Sequence, residues 1–341
     1  MNGTNTCRLP SWFVLTIFIL TGCYVQLASA QNINLQDSKN TVPVDSLGLK
    51  WKTLGGKQFW TDVHHCGGWR IQKNAMANYC RLLDKSNVQH VCGTLDACHN
   101  ELDQLIAKGD VQQVSGRVVI VLHGLIRTSN SMRLLGQHLA KNSELTAVNF
   151  EYASTRRPTA EHAKALAQVV DSLGDQVTEI NFVGHSLGNI VVRHYIADQL
   201  AAGKLDARFK RMVMIGPPNQ GSKMARVLRK SFLFKVIGGS SGAELGYRWD
   251  ELEPRLATPP FEFGIIAGGQ SENQKLSNFV LSGKDDFTVS VEETKLSGAA
   301  DFMVRPLVHS NMMRKKVTLD ATLSFFEHGY FVSADSRNPI E

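Results

Sequence analysis

The chain of 341 residues has no block of lysine and arginine interleaved with aromatic residues, and its formal net charge of +6 is spread along its length. A nucleic-acid surface is therefore not expected. Internal repeats and low-complexity runs are also missing, which excludes a solenoid or a repetitive array. No pair of cysteines or histidines shows C-x-x-C or H-x-x-x-H spacing, so metal is the lesser reading of the Cys- and His-containing stretch. What remains is an ordinary globular composition, 43% hydrophobic and 20% charged, with enough apolar residues to bury a sizeable core.

Charge is nearly absent from the start of the chain, where Arg8 is the only charged side chain before Asp37. The apolar run Trp12 to Leu20 that follows is short for a membrane span. Residues 1–30 read as a leader with two competing cleavage signals. Ala28-Ser29-Ala30 fits an ordinary signal peptidase, and Leu20-Thr21-Gly22-Cys23 resembles a bacterial lipobox that would leave a lipid anchor on Cys23. An uncleaved anchor is the third reading. All three send the protein out of the cytoplasm, to a periplasmic or extracellular place or to a membrane surface. Cys7 and Cys23 belong to the leader. Cys66, Cys80, Cys92 and Cys98 are crowded into one stretch, and an even number in an exported chain reads as two disulfides whose pairing stays open.

Residues 31–115 form an N-terminal extension that holds those four cysteines. Its clearest element is a helix from Thr94 to Ala107, with Leu95, Cys98, Leu102, Leu105 and Ile106 on one side. From Gly116 to the end, strands and helices alternate. Val118-Val119-Ile120-Val121-Leu122 is a β-branched run of the kind buried on both faces of a sheet. Further strands are expected at Leu145–Tyr152, Glu179–Val183, Arg211–Ile215, Phe261–Ala267 and Phe302–Val308. Helices are expected at Ser131–Lys141, Thr159–Leu173, Leu187–Leu200 and Met312–Phe326. That order implies an α/β class, a mostly parallel sheet with helices on both faces, over residues 116–341.

Ser186 lies in Gly184-His185-Ser186-Leu187-Gly188, directly after the run Ile180-Asn181-Phe182-Val183. A nucleophilic serine must stand clear of the sheet on a tight turn, which leaves room only for small neighbours. Gly184 and Gly188 supply that room. The helix starting at Leu187 presents its free N–H groups. His123-Gly124-Leu125 follows the strand ending at Leu122, so the Leu125 and Leu187 N–H groups can form an oxyanion hole. Asp285 and Asp286 both qualify by position as the acid that would orient a histidine. His309, after the Phe302–Val308 strand, is the expected base; His328 competes, while His185 reads as a packing neighbour.

These segments resemble the lipase and esterase group of the α/β-hydrolases, whose order is also Ser, Asp, His. Gly184-His185-Ser186-Leu187-Gly188 is similar to the G-H-S-L-G of many triacylglycerol lipases, although Asn189 stands where that group has a small residue. Gly216-Pro217-Pro218-Asn219-Gln220-Gly221-Ser222 resembles their G-T-P-x-x-G-S. Asp286-Phe287-Thr288-Val289-Ser290-Val291 resembles their D-G-T-V-x-V acid turn, a register that favours Asp286 over Asp285. Pro306-Leu307-Val308-His309-Ser310 is similar to their strand-then-histidine ending. The resemblance covers about residues 116 to 330. It implies ester hydrolysis through an acyl-enzyme on Ser186, with His309 and Asp286 completing the triad, an ester or lipid substrate, and no metal or organic cofactor. An acyltransferase on the same fold and a non-catalytic binding protein are the alternatives. Lys223–Lys235 reads as a basic amphipathic helix, either packed on the sheet or lying over a lipid surface.

Overall fold

The structure is a computed structural model that describes residues 51–53, 55–56, 58–221, 232–269 and 289–341. The leader with Cys23, most of the Lys223–Lys235 segment, and both Asp285 and Asp286 lie outside the described residues.

Two sheets organise the chain. The first has five antiparallel strands, β1 (Trp51–Lys52), β2 (Trp60–Cys66), β3 (Trp69–Asn74), β4 (Cys80–Leu83) and β5 (Val88–Gly93), in the order β1-β5-β4-β3-β2. Gly67 and Gly68, both at positive φ, make the two-residue turn between β2 and β3, as such a hairpin requires. Helix α1 (Leu95–Ala107) begins at Thr94, whose hydroxyl accepts the Ala97 N–H at 3.1 Å. It buries Cys98 and Leu102 against this sheet.

The second sheet is parallel throughout: β6 (Gly116–Leu122), β7 (Thr146–Phe150), β8 (Val177–His185), β9 (Phe209–Ile215), β10 (Glu262–Gly268) and β11 (Asp301–Arg305), in the order β11-β10-β9-β8-β6-β7. Strand β6 shows why the run at Val118–Leu122 is apolar at every position. Val118, Ile120 and Leu122 enter one core, and Val119 and Val121 the other. The first core includes α3 (Thr159–Ser172) and α4 (Leu187–Ala201); the second includes α2 (Arg133–Asn142) and α6 (Lys316–His328). Helix α5 (Phe232–Leu245) precedes β10. A six-stranded parallel sheet in this order, covered on both faces, is the α/β-hydrolase fold.

The sheet of the N-terminal extension was not legible as strands. Its core residues Val63, Ile71, Leu82 and Val91 join the same apolar cluster as α3, and β2 lies against that helix. The expected disulfides are corrected: among the described residues no disulfide is formed, and Cys66, Cys80 and Cys98 are free thiols. The register gives part of the reason. Cys80 faces Gly93 and Arg81 faces Cys92, so Cys92 points to the side of the sheet opposite Cys80. Cys66, Cys80 and Cys98 are buried in the core, where they act as small apolar side chains. Burial and the neighbouring Cys80 push the Cys98 thiol up to about 12.

Two expected boundaries near the end of the chain also move. Strand β11 stops at Arg305, because Pro306 has no N–H to extend the ladder. The expected helix from Met312 divides into a 3-10 helix His309–Arg314 and α6, separated by Lys315 in an extended conformation (φ −83°, ψ 132°).

Candidate active site

Ser186 stands between the last residue of β8 and the first of α4, with φ 53° and ψ −120°. A non-glycine residue in that region is strained by about 1–3 kcal/mol and persists only where its surroundings hold it. Its N–H donates to the Ile215 carbonyl at 3.0 Å, and its carbonyl accepts from the Asn189 N–H at 3.1 Å. The Asn189 side-chain amide donates to the Ser186 carbonyl at 3.1 Å and to the Ile215 carbonyl at 3.3 Å. Asn189 thus ties the turn to the end of β9, a role that the departure from a small residue did not suggest.

The turn has no space to spare. A methyl group on Gly184 would lie 2.5 Å from Asn189 Oδ1 and 2.7 Å from its backbone nitrogen, and one on Gly188 would meet the Leu122 and His123 carbonyls at 2.8 Å. These approaches need glycine at both flanks of the serine motif. Built on Gly124, the same atom would be 3.2 Å from Ser186 Cβ. The His123–Leu125 loop therefore runs directly beside the serine. Leu187, as the first residue of α4, has an N–H with no acceptor inside the helix.

His309 opens its 3-10 helix and is buried. Its ring rests on Gly216, the residue after β9, at a place where a Cβ would be 2.8 Å from Nδ1. Since β9 also receives the Ser186 N–H, the serine turn and His309 are both fixed to the end of one strand. His185 packs on His309 with ring centroids 4.8 Å apart, and its Nε2–H donates to the His309 carbonyl at 2.9 Å. Burial, and then the neighbouring His309, hold His185 well below the ordinary imidazole range, so it stays neutral. Ser186, His309, His185, Leu125 and Leu187 are thus brought to the carboxyl edge of the sheet, where parallel sheets place their sites. His328, the rival base, ends α6. Among the described residues, no group of three or more His, Cys, Asp or Glu is arranged to hold a metal ion.

The 123–127 loop carries features that the sequence did not reveal. Ile126, a β-branched residue, has φ 61°. His123 stacks on Tyr152 at 4.1 Å, and its Nδ1–H donates to the Gly124 carbonyl at 2.8 Å. Arg127 N–H closes the turn onto the Gly124 carbonyl at 3.2 Å. The stacking partner Tyr152 comes from the segment after β7, so no local motif marks that contact.

A family model described only as a domain of unknown function (DUF7379) matches residues 92–240. No curated protein matches the chain. Among solved structures, it is similar to the Bacillus licheniformis lipase BlEst2 in mature form, at 15% identity and a TM-score of 0.45, over 62% of this chain and 89% of that one. The phospholipase PlaB from Legionella pneumophila is 20% identical with a TM-score of 0.40, over 53% of this chain and 45% of that one. Est1E from Butyrivibrio proteoclasticus, solved with ferulic acid, is 14% identical with a TM-score of 0.44, over 62% of this chain and 89% of that one.

Proposed function

We propose that the protein is a serine hydrolase of carboxylic esters that works through an acyl-enzyme on Ser186. The observation that carries this reading is the strained turn at Ser186 (φ 53°), anchored to the Ile215 carbonyl and set beside both Gly124 and the strand that seats His309. Strain kept at a strand-to-helix corner at the carboxyl edge of a parallel sheet is the mark of a nucleophile turn.

In this mechanism Ser186 Oγ attacks the ester carbonyl carbon while His309 takes its proton. The Leu125 and Leu187 N–H groups hold the oxyanion as it forms. Collapse of the tetrahedral intermediate expels the alcohol, which takes the proton from His309. Water then attacks the acyl-enzyme with His309 as base and releases the acid. Asp286 is assigned the orientation of His309 by its register with the family's acid turn. The protein would act outside the cytoplasm.

The test is hydrolysis of p-nitrophenyl acetate, octanoate and palmitate by the mature protein beside Ser186→Ala, together with fluorophosphonate labelling. Activity and labelling that both vanish in the variant are expected. Wild-type protein that neither hydrolyses any ester nor takes the label overturns the proposal. The preferred chain length separates an esterase from a lipase.

A further inference from the structure

Among the described residues of the N-terminal extension, Gln58 bonds the 123–127 loop directly. Gln58, just before β2, has φ 66°. Its Nε2–H donates to the Arg127 carbonyl at 2.5 Å. Its Oε1 accepts from Ser154 Oγ at 3.0 Å, Thr155 N–H at 3.1 Å and Thr155 Oγ1 at 3.0 Å. Ser154 Oγ in turn accepts the Ile126 N–H at 3.1 Å. A single amide therefore holds the Arg127 carbonyl directly and the Ile126 N–H through the buried Ser154, in the segment after β7.

Ile126 is where the loop needs fastening. Residues Gly124 to Arg127 form a turn closed by the Arg127 N–H on the Gly124 carbonyl, with Ile126 third at φ 61°. A positive φ at the third position is the type II arrangement, normally filled by glycine or asparagine. Isoleucine there is strained, and its relaxed alternative, negative φ, turns the central peptide over. That flip would carry the Ile126 N–H away from Ser154 and turn the Leu125 carbonyl over, loosening the backbone on which the Leu125 N–H is held. In the hydrolase reading Leu125 supplies half of the oxyanion hole.

We infer that Gln58 is a positioning residue: through Ser154 and Arg127 it locks the oxyanion loop in its strained form, and this is one task of the N-terminal extension. The inference rests on the hydrolase reading for its catalytic consequence and on the hydrogen-bond chain for its structural one. Gln58 touches no reacting atom. Its loss should leave substrate binding nearly intact while the oxyanion is held less well.

The experiment compares wild type, Gln58→Ala, Ser154→Ala and the double variant by steady-state kinetics on p-nitrophenyl octanoate and by hydrogen exchange of the 123–127 segment. For Gln58→Ala, kcat should fall on the order of 10- to 100-fold, short of the roughly 100- to 1000-fold typical of deleting an oxyanion donor outright. KM should stay within about twofold, and the Ile126 amide should lose protection. Ser154→Ala should do the same, and the double variant should be no worse than the poorer single one, because both break one chain. Folded Gln58→Ala protein with unchanged kcat and unchanged exchange overturns the inference, as do losses that multiply in the double variant. Wild-type protein inactive on every ester overturns the hydrolase reading instead; exchange at Ile126 then still decides whether Gln58 holds the loop.

Discussion

The His309 ring and Gly216 meet so closely that a Cβ on the glycine would stand 2.8 Å from Nδ1 and 3.0 Å from Cε1. Gly216 also has φ 53°, so alanine there is disfavoured twice. Gly216→Ala should cost about 1–2 kcal/mol in backbone strain and push the imidazole from its seat. A base displaced by about an ångström typically loses on the order of 100-fold in rate. Thermal unfolding and kcat measured on the same preparation check this. A folded variant with full activity would show that His309 is not the base.

Asn189 and Gly184 should respond very differently to the same substitution. In Asn189→Ala the Ser186 carbonyl keeps the Asn189 backbone N–H, and the Ile215 carbonyl keeps the Ser186 N–H. Neither acceptor is orphaned, so the loss should be about 1 kcal/mol. Gly184→Ala forces a carbon to within 2.7 Å of the Asn189 backbone nitrogen, which no rotamer change relieves. A loss of about 1–3 kcal/mol or more is expected, with activity abolished. Urea unfolding of both variants tests the order, and a milder effect at Gly184 would contradict it.

Acid should weaken the fold from below about pH 6.5. Burial lowers His65 and His162 to about 3 and His64 to about 4. Between those values and the unfolded imidazole value, only the unfolded chain takes up protons. The stabilising contribution is thus complete above pH 6.5 and drains away as pH falls, by up to about 1.4 kcal/mol per pH unit for each proton. Asp62 works the other way. Burial raises its carboxyl to about 6 against the pull of Arg70, so its contribution is present below about pH 4 and lost as pH rises to 6. Three histidines outweigh one aspartate, and the net trend is loss on acidification. His162→Gln should make the slope shallower; an unchanged slope would remove His162 from the account.

How the two sheets differ in legibility follows from what they bury. Strand β6 meets apolar layers on both faces, so its run of aliphatic residues announces it. Strands β2 to β4 cover one face with a buried polar layer, in which Asp62 accepts from Gln72 Nε2 at 2.7 Å and Gln72 Oε1 accepts from Arg81 Nε at 3.0 Å. A bulge between Asp62 and His64 shifts the register as well. Buried polar residues and a bulge together erase the alternation by which strands are recognised; only the glycine pair at the β2–β3 turn was there to be read. At the site, Ser186 and its flanking glycines are local in sequence and could be read directly. Gln58, Ser154 and Ile126 form their chain across about a hundred positions, and nothing local marks it.

The free cysteines lead to a chemical test of the extension. Cys66, Cys80 and Cys98 are buried between the first sheet and α1, and burial raises all three thiols, Cys98 to about 12. Thiolate, the reactive form, is therefore scarce at neutral pH and also inaccessible. Ellman's reagent should leave these three untouched in the native protein and titrate all of them once the chain is unfolded under non-reducing conditions. Protein purified from an oxidising compartment makes the test sharper. Should unfolding release no thiol from residues 66 to 98, the cysteines are joined after all, and the extension is held by covalent bonds in addition to its apolar contact with α1.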